Sequence, residues 1–424
     1  MLKNYFKIGW RNLTQHKTYT TINILGLTVG MACCILIALY AREELSYDTF
    51  HEKADRIVAV GYGGGTFGKS LSTPYPLADA MEQEIPEVQN ATRMKSRSTI
   101  RLGLNPDEFV AVERAEYAEE DFFEVFSFKL VSGNEKEALN APGKIVLTQS
   151  ASRSLFGNEN PVGESLYWLQ DDTTTVLQVG GMVEDPPQNS SISFGALISF
   201  NTMHENRRRP EAWRSYSHDT YAVLKDAQSI DRLSERFEKL VQNHYENTST
   251  EFFAVPLTSL YLSEVTSNRG FTGNSKYLYL FGSVALFILF IACVNYVNLA
   301  TARVSIRAKE VGIRKSLGAH RGQVAGQFLG ESVLLSIGAY LMSILLAAWL
   351  IPYFNQLFGS HLAFSDSFIF IFWLALGAVA VGILAGIYPS LYLSRFSPAA
   401  ILRSRMPSGK SGSLLRKSLV VGQF

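Results

Sequence analysis

YTTINILGLTVGMACCILIALY, residues 19–40, decides the fold. It holds 22 residues without a charge. As a helix it covers roughly 33 Å, enough for a hydrocarbon core of about 30 Å. Its basic flank is long, it exceeds the apolar length of a secretory signal, and Ala41-Arg42-Glu43 is a poor cleavage site. The stretch therefore reads as an uncleaved anchor. Working outward, Tyr277–Ala300 is a second uncharged run. Ser332–Phe354 and Phe368–Leu393 are two more, separated by Gly359-Ser360-His361 and Asp366. The sequence predicts an α-helical membrane protein with four transmembrane helices and a large mixed α/β domain inserted between the first and second.

Charge sets the expected orientation. The chain carries 39 Lys and Arg against 38 Asp and Glu, so no bulk charge draws it to nucleic acid. The charges are sorted, however. Residues 1–18, the 302–330 loop and the tail 394–418 hold 16 basic residues against Glu310 alone. Segment 41–276 holds 23 basic residues and 35 acids. The excess of Lys and Arg places the three short pieces in the cytoplasm and the acidic segment outside. Cys33, Cys34 and Cys293 all lie in apolar runs, so the outer segment is not a disulfide scaffold. Its size lets it fold around its own core.

One stretch argues for a different chemistry. GGGTFGKS, residues 63–70, satisfies the phosphate-loop pattern through Gly63, Gly68, Lys69 and Ser70. A working phosphate loop needs a strand before it and a helix opening at the Lys-Ser. Arg56–Val60 supplies a plausible strand. Pro74 and Pro76 push their preceding residues out of the helical region, so helix begins only near Pro76–Leu77. No apolar strand ending in Asp offers a magnesium partner, and Lys69 lies on the side without an ATP pool. The stretch reads as a glycine-rich loop between strand and helix.

The outer segment shows alternating elements: a helix over Leu77–Glu84, strands at Ile145–Thr148, Val176–Met182 and Ala222–Lys225, and an amphipathic helix over Ser229–Tyr245 with Leu233, Phe237, Leu240 and Val241 on one side. His51, His204, His218 and His244 lack metal-ligand spacing, and no nucleophile elbow is present. The acid runs Glu119-Glu120-Asp121 and Asp171-Asp172 read as solvated faces. No catalytic or metal site is expected, and an acidic domain of this kind suits binding or force transmission.

Several ordered motifs carry a resemblance. They are EELSYDTFHEKADRIVAV (43–60), SRSLFGNENPVGESL (152–166), VGGMVEDPPQNSSISF (179–194), RAKEVGIRKSLGAHRGQVAGQFLGES (307–332) and GIYPSLYLSRFSPAAILR (386–403). Over nearly its whole length the chain resembles the permease subunits of MacB/FtsX-like ABC transporters, in the form common in Bacteroidota. The resemblance implies an N-terminus in the cytoplasm of a bacterial inner membrane. It divides the chain into a cytoplasmic piece 1–18, a first span 19–40, a periplasmic core domain 41–276, a second span 277–300 and a cytoplasmic coupling loop 301–330. A third span 331–356, a short periplasmic loop 357–366, a fourth span 367–393 and a basic tail 394–424 follow. The core domain is expected as a split α/β part with a β-rich subdomain inserted at about 121–220. No cofactor is expected on this chain; ATP and magnesium belong to a separate cytoplasmic ATPase. Other implied partners are a second permease half or a homodimer, membrane lipid, and a periplasmic adaptor with an outer-membrane channel. Implied uses are efflux or envelope work on antimicrobial, peptide or lipoprotein substrates. The tail LLRKSLVVGQF (414–424) resembles the start of a second repeat, so the chain is expected to be the N-terminal half of a two-repeat permease.

The coupling loop gives candidate site residues. Ile306, Ile313 and Leu317 fall on one face of a short helix, with Arg307, Lys309, Glu310, Arg314 and Lys315 on the others. Gly318 is a natural helix stop. By resemblance Arg307, Glu310, Gly312, Ile313, Arg314, Lys315, Leu317 and Gly318 form the segment that couples to the ATPase. A basic helix resting on anionic lipid is the alternative that the residues alone leave open. Gly26 with Gly30, and Gly382 with Gly386, are spaced for close helix packing, and Pro389 is expected to kink or end the fourth span. A membrane sensor with an outer ligand-binding domain is the alternative function. Its cytoplasmic pieces would be small for an output domain.

Overall fold

The computed structural model describes residues 17–63, 68–170, 173–203, 212–244, 251–266, 275–302, 304–364 and 368–394, with the single residues 11, 15 and 273. The expectations for residues 1–10, for residues 64–67 of GGGTFGKS and for the tail 395–424 lie outside the described residues. The chain divides into two compact units, one built from 1–42 with 276–424 and one from 43–275.

In the first unit, α1 (Lys17–Leu45), α7 (Ser275–Ala302), α9 (Arg321–Phe358) and α10 (Phe368–Ser394) are each long and apolar enough to cross a membrane. Between α7 and α9 lies α8 (Val304–Ser316). The four long helices share one core, in which Leu27, Met31 and Ile35 of α1 meet Leu335 and Ala339 of α9 and Ala378 of α10. At the start of helix α9 the His320 backbone N–H donates to Gln323 Oε1, and the Gln323 backbone N–H donates to the His320 carbonyl. The helix closes at Gly359, which sits at φ 62°. Helix α10 runs through Pro389 to Ser394, so that proline does not end it.

The second unit is a mixed α/β domain. Its elements are β1 (Ile57–Gly63), β2 (Lys69–Ser70), β3 (Ser72–Pro74), α2 (Leu77–Glu84), β4 (Val88–Asn105), β5 (Glu108–Ala118), α3 (Phe122–Val125), β6 (Leu130–Gly133), β7 (Lys144–Thr148), α4 (Gln149–Phe156), β8 (Ser165–Gln170), β9 (Thr173–Val183), β10 (Ala196–Ser199), β11 (Tyr216–Leu224), α5 (Ile230–His244), β12 (Glu251–Pro256) and α6 (Leu257–Leu260). The strands follow the order β12-β1-β11-β4-β5-β10-β7-β9-β6, with β2 on β1, β3 on β11 and β8 joining β4 to β9.

Strand alternation builds two cores on the β1 side. Val58 and Val60, with Ala222 and Leu224 of β11, face α2 and the Leu233, Phe237 and Leu240 stripe of α5. Ile57 and Ala59, with Tyr221 and Val223, face an aromatic cluster of Phe122, Phe126, Phe128 and Phe194. Arg93 of β4 fastens α2 to the sheet. Its guanidinium donates to Asp79 at 2.8 Å and to Glu119 at 2.8 Å, and it lies 4.0 Å from the centre of the Tyr75 ring.

The other half closes on itself. β4 pairs with β5, β5 with β10, β10 with β7, β7 with β9, β9 with β8, and β8 with β4 again. This is a six-stranded barrel filled by Ile100, Val112, Leu147, Leu166, Trp168 and Ile198, among others. Its limits correct the expected 121–220 insertion. Residues 100–117 of the β4–β5 hairpin already belong to the barrel core, whereas β11 pairs with β1 and the first half of β4. One 18-residue strand serves both halves, so no boundary falls between them. The hairpin shifts register around Ser98, where Ser98 sits at φ 67° and Arg114 at φ 55°.

Candidate functional site

The strongest constellation of charge is in the first unit, where α8 meets the helix bundle. Helix α8 ends in a tight glycine stop. Ala319 N–H donates to Arg314 O, Gly318 N–H donates to Lys315 O, and Gly318 sits at φ 96°. Only Leu317 to His320 connect α8 to α9. The inward side of α8 buries Ala308 and Val311, and Val311 packs with Val324 and Phe328 of α9 and Leu393 of α10.

Polar contacts reinforce that seat. The Arg307 guanidinium donates to both oxygens of Glu331 in α9, at 2.7 and 2.6 Å. The two side chains are 10% and 5% exposed. Arg307 also lies 5.3 Å from the centre of the Phe328 ring. Arg314 donates to Glu310 at 2.6 Å and to Gln327 Oε1. Lys315 Nζ donates to the Ser394 carbonyl at the end of α10. Burial holds the Lys315 ammonium below the usual lysine range, with Arg321 adding to the shift.

Residues from all four long helices converge beside this ion pair. A cavity of about 20 Å³ is bounded by Tyr19, Tyr296, Arg307, Glu331, Ser332 and Pro389. That is room for about one water. The Tyr296 hydroxyl and Ser332 Oγ are 2.6 Å apart and share a hydrogen bond between α7 and α9. On α10, a Cβ at Gly386 would stand 2.6 Å from Ser332 Cβ, and one at Gly382 would stand 2.9 Å from the Val333 Cα. These two glycines let α10 approach α9 closely. On α1, a Cβ at Gly30 would lie 3.3 Å from Ala292 Cβ, and one at Gly26 would have ordinary room, 3.7 Å from Asn295 Nδ2.

Of the eight residues that the sequence groups as a coupling segment, Gly318 stops the helix and the other seven divide into two sets. Ile313 and Leu317 face outward, 64% and 83% exposed. Arg307 is buried, Gly312 is buried, and Glu310, Arg314 and Lys315 bond within the unit. The side chains of Ile306 and Lys309 lie outside the described residues. The inversion, apolar outside and charged inside, follows from Glu331 and Gln327. Both sit four or more residues into α9, where the sequence reads as the approach to an apolar span. The one available signal was an acid, Glu331, at the head of an otherwise uncharged run. Val311, Phe328 and Tyr296 carried no signal of their own in the sequence.

In the second unit the phosphate-loop pattern does not take phosphate-loop geometry. Lys69 and Ser70 form strand β2 against Tyr62 and Gly63 of β1. The next helix, α2, opens at Leu77, and no helix N-terminus stands behind Lys69. The Lys69 ammonium instead lies 5.3 Å from the centre of the Phe253 ring.

Two of the quoted motifs come together in this unit. Asp48, fully buried and at φ 58°, accepts the Ser191 N–H at 2.8 Å and the Ser190 hydroxyl at 3.3 Å. Asn189 returns the contact, donating to Ser46 O at 3.0 Å and accepting the Asp48 N–H at 2.9 Å. Burial pushes the Asp48 carboxyl up to about 6, although the serine donors pull the other way. On the same segment Tyr47 stacks on Tyr261, ring centres 3.4 Å apart, and the Tyr261 hydroxyl donates to Glu44. The segment that follows α1 is thus clasped from two sides.

Comparison with known proteins bears on these elements. Residues 20–240 match the MacB-like periplasmic core domain, and residues 282–398 match the FtsX-like permease C-terminal domain. The chain belongs to the MacB/FtsX-like permeases of ABC transporters. It is 22% identical over 405 residues to the macrolide export ATP-binding/permease protein MacB of Vibrio parahaemolyticus, covering 93% of this chain and 59% of that protein. The chain thus spans about three-fifths of the length of such MacB relatives. It is also 22% identical to the uncharacterized ABC transporter permease YvrN of Bacillus subtilis, covering 94% of this chain and 99% of YvrN. Among solved structures, the periplasmic region of MacB from Actinobacillus actinomycetemcomitans aligns with 50% of this chain and 92% of its own length, at 18% identity and a TM-score of 0.36. The family's two matched regions fall on the mixed α/β unit with α1, and on α7 to α10.

Proposed function

We propose that this chain is the permease of a MacB/FtsX-type ABC transporter, in which a separate cytoplasmic ATPase seats on α8 and drives movement of the periplasmic domain. The observation that carries the reading is the outward face of α8. Ile313 on the helix and Leu317 just past its end are exposed, while Arg307, Arg314 and Lys315 are engaged by α9 and α10. Exposed apolar side chains on a short cytoplasmic helix suit a groove on a protein partner. ATP and magnesium are handled by that partner, and this chain catalyses nothing itself. The sorted basic residues support an inner-membrane orientation with the N-terminus, α8 and the tail in the cytoplasm. Homologues named for macrolide export and for syringafactin export support efflux of antimicrobial or peptide-like molecules as the work done. A periplasmic adaptor, an outer-membrane channel and a second permease half or second copy would complete the machine.

Cysteine labelling tests the reading in one experiment. Lys69→Cys and Leu317→Cys are placed separately in the full chain and exposed to a membrane-impermeant thiol reagent. Lys69→Cys is expected to react in cells with a permeable outer membrane, and Leu317→Cys only in inverted vesicles. Adding the host's MacB-type ATPase subunits one at a time is expected to protect Leu317→Cys with one of them. Reaction from the opposite sides, or no protection by any subunit, overturns the proposal.

A further inference from the structure

The charges of α8 suggest a role different from touching a partner. We propose that the Arg307–Glu331 pair is a lock that fixes α8 on α9 in one rotational setting. Both are then positioning residues, and neither contacts the ATPase. The functional meaning of the lock rests on the docking role proposed for α8; its existence does not.

The geometry points this way on four grounds. First, the pair is two-pronged and almost fully buried, so each side chain has the other as its direct charged partner. A buried ion pair is weak evidence for stability, but losing one member leaves an uncompensated buried charge. Second, the other polar ties of α8, Arg314 to Gln327 and Lys315 to the Ser394 carbonyl, are only partly buried. Its apolar seat is the small cluster of Val311 with Val324, Phe328 and Leu393. Third, the linker to α9 turns on Gly318, whose left-handed backbone is no barrier to reorientation. Fourth, the pair stands beside Tyr19, Tyr296, Ser332 and Pro389, one residue from each long helix.

Rotational setting matters because of helical spacing. Arg307, Ala308, Val311 and Lys315 fall within about 100° of one another on the wheel, and Ile313 and Leu317 fall roughly opposite. Holding Arg307 against Glu331 therefore holds the two apolar side chains outward. A helix free to roll would carry them out of that setting. The ion pair opposes that alternative by orientation, in the way a single polar residue sets register in a coiled coil. Because Glu331 begins the membrane-entering part of α9 and Ser332 beside it receives Gly386 of α10, a push on α8 is delivered to two long helices at once.

The test uses the purified full chain in lipid nanodiscs, without any ATPase. Hydrogen exchange is followed for the amides of 304–316. Glu331→Gln is nearly isosteric and is expected to raise their exchange by more than about threefold, leaving the long helices unchanged. The exchanged pair, Arg307→Glu with Glu331→Arg, is expected to bring exchange back to within about threefold of the parent. A smaller rise in Glu331→Gln overturns the lock. So does a swap that stays loose, because desolvation of one side chain would then be responsible. A second readout adds the ATPase that protects Leu317→Cys. Protection is expected to weaken in Glu331→Gln and to return in the swap, which a purely local packing role would not produce. Intact exchange effects with no ATPase protection in any background would remove the docking reading and leave the lock standing.

Discussion

At the scale of single residues, three buried ionisable groups in the mixed α/β unit oppose one another. Burial holds His51 down to about 4 and His218 to about 3, with Lys95 and Arg93 adding to the second shift. His51 Nδ1 accepts the Ser127 N–H, which fixes the neutral ring with its proton on Nε2. A base with a depressed folded value refuses protons that the unfolded chain accepts, so stability falls as pH drops from about 6.5 towards 4. Asp48 is raised to about 6, so between about 6 and 4 the folded state takes up its proton first and gains stability. From pH 7 to pH 5 each histidine is expected to withdraw about 2 kcal/mol and Asp48 to return about 1 kcal/mol. The full chain should therefore lose protection of β1 and β11 on acidification, measured by hydrogen exchange corrected for intrinsic rates. Asp48→Asn should steepen the loss. Protection that is flat between pH 7 and pH 5 would show that the histidines are not held neutral.

At the scale of elements, the glycine pairs of α1 and α10 look alike in sequence and differ in space. Gly382→Ala brings a methyl to 2.9 Å from backbone on α9, whereas Gly26→Ala meets only ordinary contact. The first is expected to cost about 1–3 kcal/mol through overpacking and the second less than about 0.5 kcal/mol. Thermal unfolding of the nanodisc-embedded chain, read by near-ultraviolet circular dichroism, ranks them. Equal effects would mean that α10 does not sit against α9 as described. Elements with local signals were legible beforehand. Helix α2 follows from Pro76 and the Ile85-Pro86 stop, and the α5 stripe from its period. The β4–β5 hairpin was not, because its strands change partners midway and Ser98 and Arg114 sit at positive φ without glycine to advertise it. The α8 seat was also hidden, since its polarity is set by Glu331 and Gln327 on another helix. Sequence periodicity reports which residues share a face and is silent on which way that face turns.

At the scale of the whole molecule, the division into a four-helix unit and a mixed α/β unit was readable from the apolar runs alone. Pro389 belongs at this scale because it lies inside α10, beside the convergence of all four long helices. A proline removes one backbone bond and leaves a point of compliance in a helix that otherwise transmits push. Pro389→Ala is expected to insert and fold like the parent while ATP-driven export falls by about tenfold or more. Comparing membrane abundance with export at matched expression checks this, and normal export would refute it. Barrel closure was not readable, because β8 forms a hairpin with its chain neighbour β9 and must also reach β4, a segment far earlier in the chain. That closure bears on how such a protein survives in a crowded cell envelope. Strands rich in Thr and Val, such as β9, readily recruit strands from neighbouring molecules. Sewn into a ring, β9 pairs with β8 over Thr173–Gln178 and with β7 over Gln178–Val183, which shortens the row of amides it leaves open to a passing chain. Among the described strands, β12 stands at one end of the order, six residues ending in Pro256. Any tendency of this protein to form intermolecular sheets, during export or after heat stress, should begin there.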